Sequence, residues 1–111
     1  SLHDALPIYK AGGIECRARL KLTVETLPRF RQMNWVRAEN SDYIITIACD
    51  RSVEESFYAA AEELLTWMVT EYSFSFEEAY LLMGELMEAR CTQFVNPTRT
   101  YVCKFPKEHL R

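Results

Sequence analysis

Chemistry in this chain would need side chains able to take a proton, attack a carbon or hold a metal, and such residues are few and scattered. His3 and His109 lie at the two ends, so the interior offers no imidazole for a metal, a catalytic triad or a proton shuttle. Cys16, Cys49, Cys91 and Cys103 are widely separated and show no C-x-x-C spacing. Each falls in an expected strand beside apolar residues and reads as a buried free thiol, with a disulfide or metal pair as the alternative. Free thiols fit a reducing, cytoplasmic setting. No serine sits in a nucleophile elbow, and no acids pair at a diagnosable spacing. Catalysis by proton transfer or nucleophilic attack would require an activated nucleophile, donors for developing charge and a proton for the leaving group. The residues do not identify those parts, so the chain offers no assignable catalytic, cofactor-binding or metal site.

Composition narrows the partners. Acids and bases are interspersed to a net charge of -3, and no basic block is present to neutralise a phosphate backbone or anionic lipid. Neither nucleic acid nor membrane is expected as a partner. No apolar run reaches the roughly 18 residues that span a bilayer. The first ten residues lack the regions of a signal peptide. With 111 residues, 49% of them hydrophobic, the chain can bury one small core of modest stability.

The elements that would position any site follow from periodicity. Ile14 to Glu25 alternates, with Ile14, Cys16, Ala18, Leu20, Leu22 and Val24 on one side and Glu15, Arg17, Arg19, Lys21, Thr23 and Glu25 on the other. This predicts a long strand with one buried face. Leu27-Pro28-Arg29 breaks it, and a poorer strand is expected over Gln32 to Ala38, with Met33 and Trp35 on one side. Asn40-Ser41-Asp42 is turn chemistry. The apolar run Tyr43 to Cys49 predicts a central strand covered on both faces.

Ser52 with Glu55 then forms a capping box that opens a helix. Phe57, Ala60, Ala61, Leu64, Leu65, Met68 and Tyr72 form its inward stripe, leaving Glu54, Glu55, Glu62 and Glu63 solvated. Ser75 with Glu78 opens a second helix, which carries Phe76, Ala79, Tyr80, Met83, Leu86 and Met87 inward and ends near Ala89. Arg90 to Val95 and Thr100 to Phe105 read as strands joined through Asn96-Pro97, a hairpin or offset pair. Glu88 and Arg90 suit an ion pair between elements. Strands, then two helices, then strands indicate an α+β layer with a mostly antiparallel sheet and both helices on one face.

The order of these residues resembles the C-terminal end of the acetamidase/formamidase family. The resemblance rests on the strand Tyr43 to Ala48 before a helix, the Thr66-Trp67-Met68-Val69 cluster and Ser75-Phe76-Glu77-Glu78-Ala79-Tyr80 with Leu81-Leu82. It continues through Glu88, Arg90 and Gln93 ahead of Asn96-Pro97 to the terminal Pro106-Lys107. Upstream, Gly13-Ile14-Glu15-Cys16 is similar to the family's Ile-Glu segment at the head of a strand. The likeness covers about residues 12 to 110. Four positions depart from the family pattern: Glu88 where aspartate is usual, Phe74 where glycine or leucine fits the bend, and Gly84-Glu85 where small apolar residues are common.

The resemblance implies an α-β roll-like C-terminal part of a cytoplasmic hydrolase that cleaves short linear amides, of the formamide or acetamide type, to carboxylate and ammonia. It implies a catalytic region upstream, with a histidine, a Gly-Asp-Gly-Glu type segment and a divalent metal, none of them in this chain. Glu15 becomes the one residue assignable to the edge of an active site, its alternative being a polar-face strand residue. Expected partners are a small amide substrate, a missing N-terminal part of the same chain and further subunits of a homo-oligomer. Residues 1–8, SLHDALPI, resemble the in-frame translation of a sequencing-adapter oligonucleotide. Residues 1–10 are therefore expected to be an artefactual or disordered leader, and residues 11–111 the amidase segment. The alternative is a free-standing α+β small-ligand-binding or oligomerisation module.

Overall fold

A computed structural model describes residues 15–28 and 33–111. The expected leader, His3, Ile14 and the start of the second expected strand lie outside the described residues.

The fold begins with a hairpin, β1 (Val36–Glu39) and β2 (Tyr43–Asp50). Its turn is locked by Asn40, whose Oδ1 accepts from the N–H groups of Asp42 and Tyr43, each at 2.8 Å. That closure sets an antiparallel register from Glu39↔Ile44 to Val36↔Ile47. Two helices follow, α1 (Val53–Glu71) and α2 (Phe76–Leu86). The chain then forms β3 (Glu88–Gln93), β4 (Arg99–Pro106) and one 3-10 turn, Lys107–His109. The sheet order is β1-β2-β4-β3 with every neighbouring pair antiparallel. β2 and β3 therefore run parallel on either side of β4, with both helices in the connection between them. This is the expected α+β architecture.

The core lies between the sheet and α1. Ile44, Ala48, Cys103 and Phe105 meet Ala60, Leu64, Trp67 and Met68, and Phe74, Ala79 and Met83 close one end. β2 is central, but its burial alternates: Ile44, Thr46 and Ala48 are buried, while Tyr43, Ile45, Ile47 and Cys49 are half-buried. The expectation of cover on both faces is corrected, because both helices pack on the same side. β-branched residues on the second face suit a pleated, half-wet surface equally well.

The two caps differ. Ser52 accepts from Glu55 N–H without the return bond, whereas Ser75 and Glu78 make both bonds of a capping box. Between the helices, Phe74 N–H reaches back to the Met68 carbonyl at 3.4 Å and Ser73 adopts φ 59°. Serine here holds the left-handed position after the helix that is usually given to glycine, at a cost of about 1 kcal/mol. Burial of Phe74 in the core offsets that cost.

Further expectations are overturned. The strand expected over Ile14 to Glu25 does not form in its described part: residues 15–28 have no regular structure, and Leu20, Leu22 and Val24 are exposed. Alternation makes a strand only where a neighbour accepts its N–H and C=O groups. The second strand is shorter, starting at Val36, with Met33 exposed and Trp35 half-buried ahead of it. α2 buries only Ala79 and Met83 fully, while Phe76 and Tyr80 are exposed, because a helix at the margin of the layer needs only a narrow stripe. It also ends at Leu86, since pairing of Glu88 with Lys104 and of Ala89 with Cys103 draws those residues into β3. Finally, Cys16 is exposed and Cys49 and Cys91 are half-buried, so Cys103 alone matches the expected buried thiol.

Candidate functional site

The densest polar cluster joins β1 to α1. Glu63 is 4% exposed in the middle of the inward face of α1. Its Oε1 accepts from the N–H groups of Asn34 at 2.7 Å and Trp35 at 2.8 Å, and its Oε2 pairs with Arg37 Nη2 at 3.0 Å. Arg37 Nη1 reaches Glu71 at 2.8 Å, and the guanidinium lies 5.1 Å from the centre of the Trp67 ring. Arg37 Nε is buried without a hydrogen-bond partner. The expectation that Glu63 is solvated is therefore wrong. Spacing could have revealed it: Ser56, Ala60, Glu63 and Trp67 repeat at four, three and four residues along one face. Both Glu63 oxygens are occupied by donors, so the cluster is suited to fixing the edge strand rather than to moving protons.

A second junction forms around Ser56. Its Oγ accepts from Asp50 N–H at 2.9 Å and shares its one proton between the carbonyls of Ser52 at 2.8 Å and Arg99 at 2.7 Å. The exit of β2, the start of α1 and the start of β4 thus meet at one hydroxyl. Nearby, the Thr46 hydroxyl donates to the Ala60 carbonyl at 2.7 Å, which ties the sheet to the helix inside the core.

The residues singled out from the sequence are not brought together. Glu15 is exposed and outside the sheet. Glu88 pairs with Lys104 at 3.2 Å instead of with Arg90, and both partners are substantially exposed. Residues 88 and 90 share one face of β3, but the cross-strand partner of Glu88 is Lys104, directly opposite. His109 pairs only with its neighbour Glu108, at 3.3 Å in the 3-10 turn. Among the described residues no three His, Cys, Asp or Glu side chains converge to hold a metal. Among the described residues a divalent metal has no fitting donor set, and the neighbouring Glu63 and Glu71 are engaged by Arg37.

This scaffold has counterparts among solved structures. The acetamidase of Yersinia enterocolitica superposes with a TM-score of 0.67 and 30% sequence identity, over 69% of this chain and 23% of that one. This likeness supports the resemblance to the acetamidase/formamidase family read from the sequence. Two more distant structures share the fold. One is an acetamidase from Bacillus halodurans (TM-score 0.62, 20% identity, 66% and 25% of the two chains). The other is a predicted acetamidase/formamidase from the thermophile Thermoanaerobacter tengcongensis (0.61, 19%, 65% and 24%). No family model and no curated protein sequence matches the chain. It spans about a quarter of the length of the acetamidase structures it matches. Two departures from the acetamidase/formamidase pattern have structural accounts: Phe74 fills the core behind the Ser73 turn, and Gly84 sits in mid-helix where an added Cβ meets nothing within 4 Å.

Proposed function

We propose that this chain is the C-terminal scaffold of a hydrolase that cleaves short linear amides, of the formamide or acetamide type, to the carboxylate and ammonia. The observation that carries this reading is the 30% identity to the Yersinia acetamidase over most of the chain, together with coverage of only 23% of that protein. The polar clusters support it, because Arg37, Glu63 and Ser56 all serve the joints between elements. In this reading the activated water, the oxyanion donors and the metal come from an upstream part of the same polypeptide. Glu15, in the segment that resembles the family's Ile-Glu strand head, is the residue of this chain placed at the edge of that active site. The enzyme is cytoplasmic and acts as a homo-oligomer.

Recovery of the complete reading frame tests the reading. It is expected to reveal, within the preceding couple of hundred codons, a histidine and a Gly-Asp-Gly-Glu type segment. A frame that lacks both would argue for a free-standing module instead.

A further inference from the structure

Residues 107–111, which follow β4, cross one end of the fold from the sheet to the helices. Lys107 holds the sheet side. Its N–H donates to the Asp42 carbonyl at 2.7 Å in the turn between β1 and β2, and its Nζ pairs with Glu39 at 3.1 Å. The 3-10 turn then closes through the Leu110 N–H on the Lys107 carbonyl at 3.0 Å, with Leu110 packed against the core. Arg111 holds the helix side. Its Nη1 donates to the Ser73 carbonyl at 3.3 Å, its Nη2 pairs with Glu78, and its guanidinium lies 4.7 Å from the centre of the Phe74 ring. One side chain thus meets all three parts of the joint between α1 and α2: the left-handed serine, the buried aromatic and the capping box.

We propose that residues 107–111 are a charge-sensitive strap, in which Arg111 holds α2 closed on α1 and its release opens α2 as a local unit while the sheet and α1 stay folded. The second helix depends on such a hold, because it fully buries only Ala79 and Met83 and is entered through a strained turn. Elements with few buried contacts open locally, well before the whole fold does. The Arg111 and Glu78 side chains are 54% and 42% exposed, so dissolved ions screen their attraction and loosen the helix side of the strap. The sheet side is anchored differently, by a short backbone hydrogen bond beside the Lys107–Glu39 pair. Salt therefore frees one end and leaves the other in place to reclose. This inference stands apart from the amidase reading, since it uses no catalytic residue.

Amide hydrogen exchange of the full chain, read element by element by mass spectrometry at neutral pH and low salt, tests the strap. Arg111→Ala removes an exposed side chain and should speed exchange of Phe76–Leu86 severalfold, with β2 and β4 unchanged. Glu78→Gln keeps an oxygen for the Ser75 N–H but loses the charge, and should act in the same direction. The double variant should exchange no faster than the faster single variant, and concentrated sodium chloride should bring the parent towards Arg111→Ala. Arg90→Ala, which removes an exposed cation outside the strap, is the control and should leave α2 as it is. Unchanged exchange of α2 in Arg111→Ala would overturn the proposal. So would an equal rise across β2, β4 and α1, which would mark a loss of global stability instead of a local opening, and so would strictly additive effects of the two variants.

Discussion

Arg37 and Glu63 form an ion pair 3.0 Å long whose side chains are 4% and 3% exposed, and through it the edge strand β1 is fastened to the middle of α1. Removing one partner leaves the other's buried charge only partly met, by Glu71 for Arg37 and by the Asn34 and Trp35 N–H groups for Glu63. Arg37→Met or Glu63→Leu alone should destabilise the fold by about 3 kcal/mol, while the double replacement by two apolar residues should cost less than the sum of the two and still leave the two N–H groups without their acceptor. Urea unfolding midpoints of the two single variants and the double variant measure this directly. A strictly additive double variant would contradict the coupling.

Ser56 makes a comparable prediction for the other end of α1. Ser56→Ala leaves the Asp50 N–H without its acceptor and the Arg99 carbonyl without its donor, and should cost about 1 to 3 kcal/mol. Thr46→Val removes a single buried donor and should cost less, about 1 kcal/mol. The ranking of the two in chemical denaturation is the check.

Gly84 runs the opposite way. It is helical, and a Cβ at that position meets nothing within 4 Å. Gly84→Ala should therefore stabilise the chain by about 0.5 to 1 kcal/mol, seen as a raised thermal midpoint.

Glu78 links stability to acid. Its carboxyl is held below the ordinary value of 4.5, first by the hydrogen bond from the Ser75 side chain and also by Arg111. A depressed folded-state value means that the contribution is present above pH 4.5 and lost as pH falls through the folded value. The parent chain should lose stability more steeply than Glu78→Gln in urea titrations below pH 4.5. Identical acid slopes would show that the cap and the Arg111 contact contribute nothing.

Cys103 gives an alkaline counterpart. Burial pushes its thiol from 9.0 up to about 11. Its neutral form therefore supports the fold fully below pH 9, and that support declines as pH rises from 9 towards 11. Mass-spectrometric alkylation at neutral pH should modify exposed Cys16 first, half-buried Cys49 and Cys91 later, and Cys103 only on unfolding.

Local rules carried much of this fold. Ser75-x-x-Glu78, the Asn40 turn and the run Tyr43 to Cys49 each specify their element through near neighbours, and each stands where periodicity placed it. What depends on distant partners was less legible. The alternation of residues 16 to 24 contains no information on whether another strand is available to pair with it. Glu63 looked solvated because its three donors come from residues 26 to 29 positions away. Tyr80 looked buried because a helical stripe does not state how much of its arc finds cover. The likeness to amidases lay in the order of weak motifs rather than in a reactive group, so it led to the scaffold and not to an active site.

Ammonia release from formamide and acetamide by the product of the complete reading frame, set beside the 111-residue chain alone, tests the central claim most directly. The account predicts hydrolysis by the complete protein and none by this chain. Absence of amide hydrolysis by the complete, folded protein would contradict it, and so would turnover by the 111-residue chain alone.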